Sequence, residues 1–573
     1  MNSLITPATP RTRVQARLAD GRIFEAPLRT PLADILRYAY PESDPPPIAA
    51  VFNGELRELT YPLNGDADVS PVWLSDIDGI RIYRRSLVFL LVTAAAEIYP
   101  AAEIFVSHST YSGGYYCEVR GREPFQPAEL ERIKERMQAI VAADAPFVKS
   151  QLPLSEAIEL FRARGEEDKA RLLAHRRKET LPIYTLRGRA DYFQGYMVPS
   201  AGYLRFFDLH AVPPGFVLQF PRQDAPAVAI APALSYPKLF AVFHEAGEWL
   251  DRLGIRSAGA LNDAIVAGRL PEISLMGEAV HESRIASIAA EIAARRERVR
   301  VVLIAGPSAS GKTTFARRLA IQLLAHGLRP LPLSVDDYFV DRERTPLDES
   351  GRPDYEALSA VDIALLNEQL LALLAGKTVR VPHYNFVTGI REPGTQEFSL
   401  GPEGLILLEG IHGLNPALVP ALPPEQIYRV YVSALTQLNL DRHNRVSTTD
   451  SRLIRRLVRD VATRGYSAVQ TLRRWADVRR GEKLYIFPFQ ENSDAIFNSA
   501  LVHELAVLRP LAEPLLWQIR PHMPEFVEAN RLLSFLQWFR PAPADVIPSN
   551  SILREFIGGS ILANFRVWIP PQP

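Results

Sequence analysis

Val299-Arg300-Val301-Val302-Leu303-Ile304-Ala305 runs directly into Gly306-Pro307-Ser308-Ala309-Ser310-Gly311-Lys312-Thr313, and that junction decides the fold. The first seven residues are almost all apolar and rich in β-branched side chains, the composition of a parallel strand buried on both faces. The next eight match G-x-x-x-x-G-K-[ST]. Phe315, Leu319 and Leu323 then recur at helical spacing, and Gly327 stands where a C-terminal cap belongs. Glycines let backbone N–H groups curl around an anion, and a helix N-terminus adds a favourable partial charge. The sequence therefore predicts a sheet edge that grips a nucleotide. Gly306, Ser308, Ser310, Gly311, Lys312, Thr313 and Thr314 would cradle its phosphates. Lys312 would reach the β- and γ-phosphates, and Thr313 would offer a hydroxyl to Mg²⁺.

Working outward, Leu331–Val335, Leu405–Leu408 and Tyr428–Val432 are further short apolar runs, and helical segments separate them. Strands alternating with helices predict a parallel α/β sheet, whose ligands bind beyond the carboxyl ends of the strands. Asp336 and Glu409 each follow such a strand. Either can help hold Mg²⁺ beside Thr313. Asp336 can instead accept the proton of an attacking hydroxyl. The plainer reading makes Asp336 a turn cap and Glu409 a solvated loop residue.

Arg452, Arg455, Arg456 and Arg459 recur at i, i+3, i+4 and i+7, with Arg464 after them. Such a face suits a lid over phosphates, because guanidinium forks match phosphoryl oxygens. It would serve equally as a solvated face paired with Asp450 and Asp460.

The rest of the chain is read more coarsely. Its 573 residues predict three or four domains at ~150 residues each. Lys+Arg and Asp+Glu are both 65, which argues against a whole-surface footprint for nucleic acid. One cysteine, Cys117, excludes an internal disulfide. No apolar run approaches the ~18 residues of a membrane span, and the first residues lack the apolar core of a signal peptide, so a cytoplasmic location is expected. Val14 to Arg81 alternates like short strands around the turns Asp20-Gly21 and Asn53-Gly54, with a helix at Pro31–Tyr40. That is the pattern of a β-grasp module. Ile82 to Met276 is mixed α and β, and Glu278 to Arg298 predicts a connecting helix with Ile285, Ile288 and Ile292 on one face.

The phosphate loop, both carboxylates and the arginine helix together resemble the uridine kinase and phosphoribulokinase family of P-loop kinases, over about Val299 to Arg509. Ser334-Val-Asp336-Asp-Tyr338-Phe339 is similar to the family's acceptor-side segment. Leu408-Glu409-Gly410-Ile411 resembles its Glu-Gly-Ile segment, whose Glu is a magnesium partner. Asp450 to Gly465 resembles its arginine-bearing lid. The resemblance implies ATP and Mg²⁺ as cofactors and Asp336 as the base. Lys312, Arg456, Arg459 and Arg464 would stabilise the moving charge, and Thr313, Asp336 and Glu409 would organise the metal. The acceptor pocket would hold Tyr338, Asp354, Tyr384 and Arg391, with Asp354 on ribose hydroxyls. The implied acceptor is a small hydroxyl compound, above all a nucleoside. This sequence departs from the family at Asn385, where Asp is usual, at Gly389, where a base-contacting His is usual, and at Tyr466, where Arg is common.

Tyr83-Arg84-Arg85-Ser86-Leu-Val-Phe89-Leu-Leu and Asp191-Tyr-Phe193-Gln-Gly195-Tyr-Met197 resemble segments of threonyl-tRNA synthetases, which implies a TGS-type β-grasp module followed by an editing-like domain in the front half. In the segments that carry this likeness, Arg85, Phe89, Phe193 and Met197 replace the family's two His, Cys and third His. Phe and Met cannot supply ligand or acid–base chemistry, so a scaffold without editing is expected. The combination resembles bacterial uridine kinase-like nucleoside kinases. The predicted fold class is a multidomain α+β and α/β chain: a β-grasp module (1–81), an editing-like α+β domain (82–277), a connecting helix (278–298), a P-loop parallel sheet with helices on both faces (299–515) and a C-terminal extension (516–573). An ATP-dependent RNA- or ribosome-associated regulator remains the alternative, with RNA contact through the front half and a homo-oligomer also open. His108 predicts a structural role, and His244-Glu245 with Glu248 lacks the second His of a zincin pattern.

Overall fold

The computed structural model describes residues 9–111, 113–222, 236–349 and 351–565. The front sheet has five strands in the order Ile23–Pro27, Arg13–Leu18, Ala67–Val72, Ala49–Phe52, Glu55–Glu58. Arg13–Leu18 alternates exposed and buried residues without a break, because successive side chains of a strand point to opposite faces. Its buried set, Val14, Ala16 and Leu18, packs against Leu32, Ile35 and Leu36 of the helix Leu32–Ala39.

The longest notable apolar run of the sequence, Leu87 to Ala96, lies in the helix Ile77–Ile98, which is buried almost all round. A four-stranded and a three-stranded antiparallel sheet accompany it. None of the described helices is long and apolar enough to cross a membrane.

Five parallel strands form the sheet that carries the phosphate loop: Arg329–Ser334, Gly404–Glu409, Val301–Ala305, Ile427–Ser433, Ala495–Asn498, in that order. The fifth strand is only four residues long, and the sequence reading did not single it out. Both faces are covered. Val302 and Ile304 face Phe315, Leu319 and Leu323 of the helix Lys312–Ala325 together with Ile285, Ile288 and Ile292. Val301 and Leu303 face Leu366, Leu370 and Leu373 of the helix Ile363–Leu374. Each fully buried Leu, Ile or Phe stabilises the stack by about 1.5–3 kcal/mol.

Two expectations need correction. The helix expected at 278–298 runs from Leu270 to Ala294, with Pro271 in its first turn, so a boundary at 277 falls inside one element. Proline's fixed φ suits a first helical turn, where its missing N–H costs nothing. This helix packs along Lys312–Ala325, where Arg318 binds Glu278 and Glu282 at 2.7 Å each. It is therefore a layer of the sheet domain rather than a spacer. The tail shares a core as well: Phe535, Trp538, Ile552 and Phe556 belong to the same apolar cluster as Val302 and Phe315.

Candidate active site

The loop turns on two positions with no room or no ordinary conformation. A Cβ at Gly306 would strike the carbonyl of Val432 on the neighbouring strand, and Gly311 has φ +87°. From that turn starts the helix Lys312–Ala325, whose first N–H groups have no partner within the helix. Lys312 folds over the loop, donating to the carbonyls of Gly306 (2.9 Å) and Pro307 (3.3 Å). Thr313 Oγ1 donates to the Glu409 carboxylate at 3.0 and 3.1 Å.

Glu409 is the last residue of its strand, as the parallel-sheet rule requires of a site residue. Burial pushes its carboxyl up to about 7, and repulsion from Asp336 and Glu555 adds to this against the pull of Lys312 and Thr313. Asp336 lies in the turn Val335–Tyr338, which Ser334 caps by accepting the Asp336 backbone N–H at 3.2 Å. Burial raises its pKa too, opposed by Lys312 and Arg464. The Lys312 ammonium is held below its usual value by burial, against the attraction of Glu409, Asp336 and Glu555. Thr313 and Glu409 therefore meet at the loop, and Glu409 pairs across the strands with Ser334, two residues before Asp336. Negative charge there is under-compensated, and the donors beside Thr313 are all oxygens, which fits Mg²⁺. Among the described residues no three His, Cys, Asp or Glu side chains already form a metal cage. Mg²⁺ bound mainly through phosphates and water needs none.

The arginine helix Thr448–Thr463 divides its charges between two jobs. Arg452 and Arg455 are fully buried, paired with Glu482 and Glu504, and they donate to the loop carbonyls of Ser308 (3.0 Å) and Ala309 (3.4 Å). They fasten the helix to the loop. Arg456 donates to Ser308 Oγ at 2.7 Å and to Asp460 at 3.1 Å. Arg459 and Arg464 also approach Asp460, at 2.8 and 3.8 Å. One buried carboxylate therefore gathers three guanidiniums and leaves net positive charge beside the loop. The helix is docked on the loop rather than standing off it as an open lid.

The four residues assigned to the acceptor pocket fall into two places, Asp354 in one and the other three in the second, where Tyr384 and Arg391 pair across a hairpin. Asp354 lines a large cavity and accepts from Tyr485 Oη at 3.1 Å. Tyr338 is fully buried in the core beneath the sheet, and its hydroxyl donates to Gln369 at 2.9 Å. Arg391 is spent on Asp362 at 2.8 Å. Tyr384 is buried edge-on between Phe339 and Phe386, and its N–H donates to Asp337 at 3.3 Å. These three brace the turn that carries Asp336 instead of lining an opening.

Three carboxylates at the loop escaped the sequence reading. Glu482 accepts the Ser308 N–H at 3.2 Å, and Glu555 accepts the N–H and hydroxyl of Thr314 at 3.2 and 2.8 Å. Glu356 packs so tightly on Gly481 that a side chain there would collide with it. Burial and the nearby Glu482 and Asp336 push its carboxyl up to about 7, against Arg456 and Lys312. Each comes from a distant stretch with no motif.

In the front half, the four replaced positions do meet. Phe89 and Phe193 lie 5.2 Å apart between ring centroids, Ser86 Oγ contacts Met197 Sδ at 3.8 Å, and Arg85 donates to the Tyr196 carbonyl at 2.6 Å. Phe89, Phe193 and Met197 are core residues there.

Residues 301–506 match the Phosphoribulokinase / Uridine kinase family. The chain is similar to threonine–tRNA ligases: 30% identical over 200 residues to that of Burkholderia lata, covering 35% of this chain and 31% of the relative. To that of Acidovorax sp. strain JS42 it is 32% identical over 166 residues, covering 29% and 26%. The chain thus spans under a third of the length of these relatives. Among solved structures, a protein described as a possible uridine kinase from Bacillus stearothermophilus aligns at 20% identity and TM-score 0.27, over 38% of this chain and 98% of that one. D-glycerate 3-kinase from Cryptococcus neoformans aligns at 16% identity and TM-score 0.21, over 46% and 89%. Residues 301–506 are a phosphoribulokinase/uridine kinase family domain, joined to a front half that matches threonyl-tRNA synthetases.

Proposed function

We propose that the chain is an ATP- and Mg²⁺-dependent kinase that phosphorylates a hydroxyl of a small acceptor, a nucleoside 5′-hydroxyl being the favoured one. The single observation behind this reading is the hydrogen bond from Thr313, beside Lys312 in the phosphate loop, to Glu409 at the end of the next strand, where Glu409 pairs with Ser334, two residues before Asp336. Asp336 takes the acceptor's hydroxyl proton as the oxygen attacks the γ-phosphorus. The new O–P bond forms, the β–γ bridging bond breaks, and ADP leaves with the bridging oxygen. Lys312, Arg456, Arg459 and Arg464 neutralise charge on the moving phosphoryl group. Bound Mg²⁺, held through Thr313, Asp336 and Glu409, would supply further charge neutralisation. Asp354 is the acceptor-side contact that faces open space, which supports a polyhydroxyl acceptor. A coupled ADP-release assay over nucleosides, glycerate and sugar phosphates tests this. Turnover that is unchanged in Asp336→Asn would reject the assigned base.

The likeness to threonine–tRNA ligases favours one second reading, an ATP-gated RNA-binding regulator. Salt-dependent tRNA binding, with ATP hydrolysed and no acceptor phosphorylated, would select it.

A further inference from the structure

A cavity of about 1520 Å³ opens between the front half and the kinase-family domain, larger than the ~300–1,000 Å³ of ordinary small-molecule sites. It reaches from Pro307 of the phosphate loop and Asp354 to the helix Ile77–Ile98. Two kinds of arginine line it. Arg81 and Arg531 share Glu528, and Arg452 and Arg479 share Glu482, so those charges are matched. Arg84 and Arg85 on that helix, and Arg445 in the loop before the arginine helix, have no carboxylate within ion-pair distance among the described residues, and Arg85 donates to the Tyr196 carbonyl at 2.6 Å. The Nε groups of Arg84 and Arg445 are buried with no hydrogen-bond partner. The Arg84 guanidinium lies over the Phe220 ring at 4.6 Å, and that of Arg445 lies 5.8 Å from the Tyr115 ring. Tyr115 and Phe220 are themselves in edge contact at 4.9 Å. Arg84 and Arg445, from two domains, therefore converge on one aromatic pair, with Asp450 the one carboxylate that attracts Arg445.

That arrangement is unfavourable as it stands. Burial lowers the pKa of Arg84, and Arg81, Arg445 and Arg479 lower it further against Tyr115. Burial likewise lowers Arg445, against Tyr115 and Asp450, and it pushes Arg85 down to about 10. A buried cation costs stability unless something pairs with it. Guanidinium forks pair best with planar or tetrahedral oxyanions.

We propose that this cavity is a binding site for a small phosphate ester, gripped by Arg84, Arg85 and Arg445 and bridging the two halves of the chain. The proposal does not rest on the kinase reading, although the same cavity runs on to Pro307 of the phosphate loop. Facing cations on two domains also make the ligand a clamp, since its charge converts repulsion across the interface into attraction.

The test uses the full chain carrying Lys312→Ala, which weakens the phosphate loop's own grip, with inorganic pyrophosphate as probe in calorimetric titration and thermal melts. Pyrophosphate is expected to bind and to raise Tm. Affinity should fall about tenfold or more in Arg445→Gln and in Arg84→Gln, and less in Arg445→Lys, which keeps the charge without the fork. Without pyrophosphate the two Gln variants should melt no lower than their parent, because like charges have been removed. A purely structural arginine would instead lower Tm. Equal affinity in all variants, or no heat and no Tm gain at millimolar pyrophosphate, overturns the proposal. Arginine-dependent binding of a short single-stranded RNA that pyrophosphate cannot displace overturns it in favour of RNA.

Discussion

Glu555, in the last helical turn of the described chain, accepts hydrogen bonds from the backbone N–H and the hydroxyl of Thr314, at 3.2 and 2.8 Å. Thr314 sits in the first turn of the loop helix, where free N–H groups would serve a triphosphate. Ile552, three residues earlier, lies 2.5 Å from where a Cβ of Gly311 would be. The tail therefore presses a carboxylate onto donors that an anionic nucleotide needs. Glu555→Gln should lower the KM for ATP by about threefold or more with kcat little changed, since removing like charge near a phosphate is worth about 1 kcal/mol. A rise in KM would mean that Glu555 supports the helix instead of competing with the nucleotide.

The raised Glu409 predicts a pH-dependent metal requirement. With its carboxyl pushed up to about 7, a proton competes with Mg²⁺ below neutrality. Apparent Mg²⁺ affinity should climb as pH rises from about 6 to 8, and Glu409→Gln should flatten that dependence. Metal-free stability should move the other way. The folded state holds this proton more tightly than the unfolded one, so stability falls as pH rises from the ordinary carboxylate range through 7. Mg²⁺ should restore it. Melts with and without Mg²⁺ across that window check both signs.

Asp460 is the organiser of the arginine helix, and its replacement should cost more than its own charge. It is buried and meets Arg456, Arg459 and Arg464. Asp460→Asn leaves three guanidiniums facing one another. Loss of charged hydrogen bonds of about 1.5–3 kcal/mol each should lower the urea midpoint, and kcat should fall at least tenfold as the arginines lose their aim. A variant with full kcat would leave Asp460 a purely structural pair.

The strand, loop and helix around Gly306–Thr313 were legible because their signals are local. Apolar β-branched runs, a glycine spacing and a helical stripe each span under fifteen residues. The placement of Asp336 and Glu409 at strand ends was legible from the apolar runs before them. Arg452 and Arg455 misled because one helical spacing serves both a phosphate face and a buried ion pair; only Glu482 and Glu504, far along the chain, decide between them. Tyr338 misled for a similar reason: an aromatic after a turn fits a pocket or a core, and Gln369 selects the core. Glu555 was beyond reading, since its place at Thr314 depends on how the tail packs across the sheet.

Gly389 is the departure from uridine kinases with the plainest physical cause, and it yields the last prediction. It has φ +76°, within the hairpin that pairs His383–Asn385 with Ile390–Glu392, and the Arg342 side chain lies 2.6 Å from where a Cβ would be. A left-handed conformation costs a side chain about 1–2 kcal/mol, and Arg342 would have to move as well. Its guanidinium donates to the Phe386 carbonyl at 2.8 Å, and its backbone N–H donates to the Gly389 carbonyl at the same distance. Gly389→His should therefore lower Tm by several degrees and bring no gain in kcat/KM for uridine, because the histidine cannot settle without breaking the hairpin that braces Asp336. Gly389→Ala meets the same backbone strain and the same Cβ contact with Arg342, so it should lower Tm as well, with the His variant lower still by the cost of its ring. A uridine kcat/KM that rises in Gly389→His would show that the pocket still has a base site there and that the hairpin yields to it.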